Sequence, residues 1–200
     1  MPITINGNGT ITVLAVGGLP DGTVDADTLA SGAITSSALP TGSVIQVKSV
    51  SKTDADSKCN TQSYDIPGLS VSITPTSASN KIFIIFNVNL HSSGSFGADV
   101  VRLVRDSTNI CIADSVGSYT KGSNAVVRHE VGDNYDYTGY STVNTFLDSP
   151  GDTNSHTYKV NLYDHTANNT VWINRDREDG GDSSGYRRTV STITVMEITV

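Results

Sequence analysis

The sequence predicts an all-β protein with a jelly-roll-like β-sandwich head and an extended N-terminal β arm. Hydrophobic residues make up only 36% of the 200 residues and charged residues 16%, and Ser, Thr, Asn and Gly fill the difference. Hydroxyl side chains compete with helical hydrogen bonds, so this composition favours strands and turns. Apolar and polar residues alternate in short segments, and no window shows helical periodicity.

The first 42 residues differ from the rest of the chain. They contain no aromatic residue, no lysine and no arginine, all of which occur only later. A globular core normally recruits large side chains along its whole length. We therefore divide the sequence into an assembly or docking arm, residues 1–42, and a head domain, residues 43–200.

The arm opens with a predicted β-hairpin. Residues 3–13 form two alternating segments around Asn6-Gly7-Asn8-Gly9, and Asn-Gly supplies the positive φ angles of a tight turn. Such a hairpin is only marginally stable alone and needs a partner surface. Its apolar face would consist of Ile3, Ile5, Ile11 and Val13.

A ten-residue repeat follows the hairpin. Residues 22–24 align with residues 32–34, and each copy carries an aliphatic residue two positions after its glycine and a leucine five positions later. One copy cannot bury its two aliphatic side chains, so we expect it to stack on other copies of the chain. The alternative is a loose, polar tail. The aliphatic residues concerned are Val24, Leu29, Ile34 and Leu39.

Strand signals recur through the head, with turn sequences between them. The strongest covers residues 82–90, where every even position is apolar, as expected for a central strand of a sandwich. About eight to ten strands in a domain of this length fit a jelly roll or a related sandwich. Further strands are predicted at residues 44–47, 69–73, 100–105, 110–113, 125–131, 142–146, 157–163, 171–174 and 189–200.

Composition and motifs argue against several functions. The formal net charge is −7, which disfavours nucleic-acid binding, and no apolar run is long enough to span a membrane. No metal-ligand spacing, nucleophile elbow or phosphate-binding loop occurs, so we expect neither an enzyme nor a cofactor or metal site. Cys59 and Cys111 are expected to be reduced thiols, and the alternative is a disulfide between them.

One Gly-rich segment concentrates acidic and basic residues. Asp176, Glu178, Asp179 and Asp182 stand there near several arginines. A glycosidase needs two carboxyl groups across a cleft, and a divalent cation needs oxygen ligands at a fixed spacing. Neither pattern is evident, so we expect mutual charge neutralisation in an exposed loop.

Three tyrosines, Tyr135, Tyr137 and Tyr140, stand among Asp, Asn and Gly. This composition is typical of recognition loops, because tyrosine gives a large contact area at a low entropy cost. Sugars also stack on such rings. The alternative is that these tyrosines pack at a subunit interface or on the flank of the domain.

The opening residues Ile-Thr-Ile-Asn-Gly-Asn-Gly-Thr-Ile-Thr (3–12) resemble the start of virion proteins of marine and freshwater phages, including cyanophages. Residues 19–25 and 27–35 are similar to the stalk repeats of phage fibres. The resemblance implies a homotrimer on the virion surface, made in the host cytoplasm, with interwoven N-terminal segments, a β-sandwich knob and no catalytic residues. Segments similar to the heads of that group are residues 68–75, 79–82, 102–106 and 191–198.

Two functions follow from these observations. The first is structural: a homotrimeric capsid decoration (cement) or head-fibre protein whose arm docks on the major capsid protein or another virion protein. The second is a short tail fibre whose knob binds a host surface glycan through the tyrosine loop. The short arm, with only two repeats, favours the first, and the tyrosines favour the second. A depolymerising enzyme is a third hypothesis, which no catalytic constellation supports.

Overall fold

The computed structural model describes residues 4–5, 11–12, 31, 34–35, 38–59, 61–92, 99–126, 139–177 and 186–200. The chain divides into two units, Met1–Pro40 and Thr41–Val200. Strands dominate the described residues, which contain no α-helix. In this part of the chain, accordingly, no helix is long and apolar enough to cross a membrane.

The first unit contains a two-stranded antiparallel sheet where the sequence predicts a hairpin. Its strands are β1, Thr4–Ile5, and β2, Ile11–Thr12. Ile5 lies opposite Ile11 in the register.

The second unit contains two antiparallel sheets. Its strands are β3 Val44–Lys52, β4 Asp56–Lys58, β5 Ser63–Ile73, β6 Lys81–Ser92, β7 Asp99–Arg105, β8 Thr108–Ile110, β9 Asn124–Ala125, β10 Tyr140–Asp148, β11 His156–Asp164, β12 Val171–Ile173 and β13 Ser191–Ile198.

We call the first of these the β6 sheet, because β6 is its central strand. Strand β10 pairs with one edge of β6, and β13 and β12 pair with successive parts of the other edge. Beyond them, β3 pairs with β13 and β4 with β12. The second, the β11 sheet, has the order β5-β11-β7, and β8 and β9 both pair with the far edge of β7.

The two sheets enclose one hydrophobic core. The even positions of β6 predicted to face inward are all buried, from Ile82 to Leu90. They belong to a single cluster with inward residues of the other sheet, such as Leu103 and Val160. Face-to-face packing of two sheets around one core is the arrangement of a β-sandwich. The predicted all-β class is therefore confirmed, and the architecture is consistent with the predicted sandwich.

Two predicted strands differ from the structure. Residues 110–113 were expected to form a strand, which is wrong, because β8 ends at Ile110. Asp106 has a φ of 55° and starts a two-residue turn, so the chain returns by Thr108, opposite Arg105. The strand predicted at residues 125–131 is present only as β9, and residues 127–131 lie outside the described part.

Candidate functional site

A cavity of about 440 Å³ opens where β10 begins beside the end of β6. We call it the Tyr140 cavity. Its walls include Leu90, Tyr140, Arg175, Asp176 and Arg187. Two features that the sequence singles out separately, the tyrosine cluster and the Asp/Arg segment, thus contribute residues to one site.

The end of β12 brings these segments together. Asn174 follows β12 with a φ of 60°, a left-handed conformation that asparagine tolerates better than most residues. Its backbone N–H donates to the carbonyl of Asn89, and its carbonyl accepts from the N–H of Thr189. The turn places Arg175 and Asp176 in the wall of the cavity.

Asp176 is buried, which corrects the expectation that this carboxylate lies in an exposed loop. Its Oδ2 accepts the backbone N–H of Arg187 at 2.9 Å, and its Oδ1 lies 4.0 Å from the Arg187 guanidinium. The Arg187 side chain is 59% exposed. The acidic group therefore faces inward while the cation reaches solvent. Glu178, Asp179 and Asp182 lie outside the described residues.

Of the predicted recognition tyrosines, Tyr140 forms part of the cavity wall. Its ring packs against the hydrophobic core, and its hydroxyl oxygen is shielded from solvent. Tyr140 therefore shapes the cavity and does not project as a free ring. Tyr135 and Tyr137 lie outside the described residues.

The predicted arm residues are described only in part. Ile34 is 57% exposed and Leu39 is 38% exposed. Ile5 and Ile11 are register partners in the two-stranded sheet. Ile3, Val13, Val24 and Leu29 lie outside the described residues.

A second concave site, of about 330 Å³, lies on the outer surface of the β11 sheet. The Arg102 guanidinium stacks 3.6 Å above the centre of the Tyr163 ring. Lys159 pairs with Asp65 at 2.6 Å, and the Asn161 amide donates to the same carboxylate. The alternation within β11 predicts that Lys159 and Asn161 share a face, but their partners come from distant segments. The charged and polar side chains of this site therefore interact with one another across β5, β11 and β7.

A further ionic cluster lies around the buried Asp148 carboxylate in the head. Asp148 accepts hydrogen bonds from both Arg105 and Tyr158 at 2.7 Å. Burial, and then the bond to Asp148, raise the pKa of Tyr158 far above its ordinary value. None of these three residues lines the Tyr140 cavity, so they are structural groups.

His156 is held between two carboxylates at the start of β11. Its Nδ1 lies 2.9 Å from Asp106 and its Nε2 lies 3.1 Å from Asp152. Burial would raise the pKa of Asp106, but the bonds from His156 and from the backbone of Thr157 outweigh it and hold that pKa below its usual value. The three residues tie the β7–β8 turn to the loop before β11.

Within the described ranges, no three His, Cys, Asp or Glu side chains are grouped so that they could hold a metal ion. Cys59 and Cys111 are free thiols, the first exposed and the second partly buried. Burial raises the pKa of the Cys111 thiol, which lowers its reactivity.

No family model matches the chain, and a search of curated proteins also finds no match.

Proposed function

We propose that the chain is a structural protein of a bacteriophage virion: a homotrimeric capsid decoration or head-fibre protein with a jelly-roll head, attached through its N-terminal arm. Three observations support it: the resemblance of residues 3–12 and of the ten-residue repeat to phage virion proteins, the strand order of the head, and the exposure of Ile34 and Leu39 in the arm. The last of these carries the proposal.

The strand order supports a jelly roll because the pairs are nested. Strand β3 pairs with β13, β4 with β12, β5 with β11, and β6 with β10. The innermost strand, β7, pairs with β8 and β9. In the described part of the head, this nesting is the pattern of an antiparallel ribbon folded over two sheets, and it supports a jelly-roll head, a fold built from two Greek keys.

The arm supports self-association because two aliphatic side chains near its end are not buried within one chain. Ile34 and Leu39 are exposed, whereas the head has a continuous core of its own. Covering an aliphatic side chain contributes about 1.5–3 kcal/mol. Stacking of arms from several copies, or docking on a capsid surface, would recover that contribution.

Light scattering after size-exclusion chromatography tests the assembly. We expect a mass three times the chain mass of 21.1 kDa. Ile34→Asp should weaken the assembly, and Val116→Asp, at an aliphatic residue of the head that is 52% exposed, should not. A monomeric full-length chain would contradict the proposal.

The position on the particle requires a separate measurement. Antibody labelling and cryo-electron microscopy of purified phage should locate many copies over the capsid. A few trimers confined to the tail would contradict decoration and support the tail-fibre alternative.

The Tyr140 cavity favours that alternative, glycan binding, as a second candidate function. The cavity wall contains one aromatic ring, one carboxylate, two guanidinium groups and one amide, from Tyr140, Asp176, Arg175, Arg187 and Asn89. This combination suits a polar, ring-shaped ligand. On an array of bacterial surface oligosaccharides, the protein should bind a defined subset. Arg187→Ala should reduce that binding, whereas Arg188→Ala, an exposed arginine outside the cavity wall, should not. Binding that both variants retain would exclude the cavity.

A further inference from the structure

The outer face of the β6 sheet carries an apolar row that crosses four strands. Register places Leu147 opposite Phe83, Phe83 opposite Met196, and Met196 opposite Val47. Ile85 and Val143 extend the row along β6 and β10. Val47, Val143 and Leu147 are 54%, 57% and 48% exposed. Side chains on this face point away from the core, so burial in the monomer does not explain their apolar character.

This face carries no charge over its centre. All outward-facing side chains in the centre of this face are apolar, hydroxyl or amide groups. They stand at every second position, starting with the first, of residues 141–147, 83–89, 192–196 and 47–51. Lys81 stands only at its margin, opposite Ile198. The outer face of the β11 sheet differs, since it presents Asp65, Arg102 and Lys159.

Polar side chains on this face form hydrogen bonds with neighbouring side chains of the same face. The Ser49 and Thr194 hydroxyls are 2.7 Å apart, and the Ser141 hydroxyl donates to the Asn87 side chain. A polar group with a partner within its own surface loses less when water is removed than one bonded only to water. The face can therefore be covered by another surface at low desolvation cost.

We propose that, in the trimer, this face of each copy is turned towards the threefold axis and packs against the other two copies. The inference rests on the proposed self-association and names the surface that mediates it. Each chain has a formal net charge of −7, so copies repel one another. An uncharged face is where that repulsion is weakest, and depletion of charge is the compositional mark of interface cores.

The size of the face limits how strong this contact is. Four strands about 4.8 Å apart and three rows of side chains give a flat area of about 400 Å². A standard interface buries about 800 Å² on each partner. The face supplies about half of that area, and the arms of the copies are the natural source of the rest. One charge placed in the row should therefore be enough to disrupt the contact.

The test compares matched lysine substitutions at two exposed valines of the head. Val47→Lys lies in the row, and Val116→Lys lies on a loop at a similar exposure of 52%. At about 10 µM, Val47→Lys should lower the light-scattering mass to that of one chain, with self-association weakened more than about 100-fold. Val116→Lys should keep the mass of the unchanged protein.

Each outcome has a definite meaning. A Val47→Lys protein that keeps the full mass overturns this inference and leaves the proposed trimer standing. A monomeric unchanged protein overturns both. Circular dichroism and thermal melting check that the Val47→Lys protein is folded. If it is unfolded, Leu147→Lys, in the same row but on the opposite edge strand, repeats the test. If Val47→Lys and Val116→Lys both lower the light-scattering mass, the assembly is non-specifically sensitive to added charge, and the inference is also overturned.

Discussion

The Nζ of Lys58 lies 2.7 Å from Oδ2 of Asp164, and both side chains are buried. Lys58 ends the edge strand β4 of the β6 sheet, and Asp164 ends β11 in the other sheet, so the pair joins the two sheets. Burial would raise the pKa of Asp164, but the bonds from Lys58, Asn169 and Thr166 outweigh it. They hold that pKa well below its usual value.

Asp164→Asn should destabilise the head strongly. The substitution leaves the Lys58 ammonium buried without its carboxylate, and breaking such a pair costs about 3–5 kcal/mol. The combined Lys58→Met and Asp164→Asn variant should regain most of that loss, because methionine removes the buried charge while the asparagine oxygen can still accept from Thr166 and Asn169. Urea unfolding followed by circular dichroism measures both. A double variant less stable than Asp164→Asn would contradict this account.

Asp99→Asn should stabilise the protein at pH 7. Asp99 is buried, its two oxygens lie 3.2 and 3.4 Å from the Asn169 amide, and it faces Asp164. Burial, and then the charge of Asp164, raise the pKa of Asp99. The folded state thus binds the Asp99 proton more tightly than the unfolded state does. The stabilisation of the fold by this proton is present at low pH and is lost as pH rises through the raised pKa.

The advantage of Asp99→Asn should therefore shrink towards pH 3, where Asp99 is protonated in both states. Urea unfolding at pH 3, 5 and 7 gives this profile. Asp114→Asn, at an exposed carboxylate, is the control and should show a flat difference. A destabilising effect of Asp99→Asn at neutral pH would refute the argument.

Glu197→Gln should cost about 1–3 kcal/mol at pH 7, the range for leaving buried donors unsatisfied. The buried Glu197 carboxylate accepts from the backbone and hydroxyl of Thr76 and from the amides of Asn80 and Gln46. Burial would raise the pKa of Glu197, but these bonds lower it below its usual value. A glutamine presents an N–H₂ group to donors that need an acceptor.

The Glu197 contribution has the opposite pH dependence to that of Asp99. With its pKa lowered in the folded state, the carboxylate stabilises above about pH 4.3 and loses this effect as pH falls through the lower folded pKa. The stability difference between the two proteins should therefore narrow below pH 4. Equal acid midpoints for the parent and Glu197→Gln proteins would speak against this role.

Asn174→Gly and Asn174→Ala separate hydrogen bonding from backbone conformation beside the Tyr140 cavity. The Asn174 amide donates to the carbonyls of Lys52 and Asp54 at 2.8 and 3.0 Å, and its oxygen accepts from Ser191 at 2.6 Å. Both variants lose these bonds. Alanine should be worse by about 1–2 kcal/mol, because its Cβ disfavours the φ of 60°. Equal stabilities in thermal melting would contradict the conformational part.

Alternation in the sequence predicts most of the strands but not their limits. Residues 82–90 are identified correctly because period-2 alternation is continuous there. Strand β4, Asp56–Lys58, and the first half of β5 are absent from the prediction, since Asp56, Lys58 and Asp65 are charged. Lys58 is nevertheless buried, and only its partner Asp164, 106 residues away, makes that position stable.

The candidate site was predictable in its pieces and not as a whole. Composition singles out Tyr140 and the segment containing Asp176. Their meeting depends on the pairing of β12 with the end of β6 and on the turn at Asn174, none of which is a local property.

The sequence by itself determined the β class, the inward face of each strong strand and the distinct character of the N-terminal arm, because alternation and composition act over a few residues. Only the tertiary structure decided which strands lie side by side. Nested pairing puts Val47, Phe83, Leu147 and Met196 in one row and joins Lys58 to Asp164. These neighbours are far apart in the chain, and the packing of two sheets around a shared core selects them.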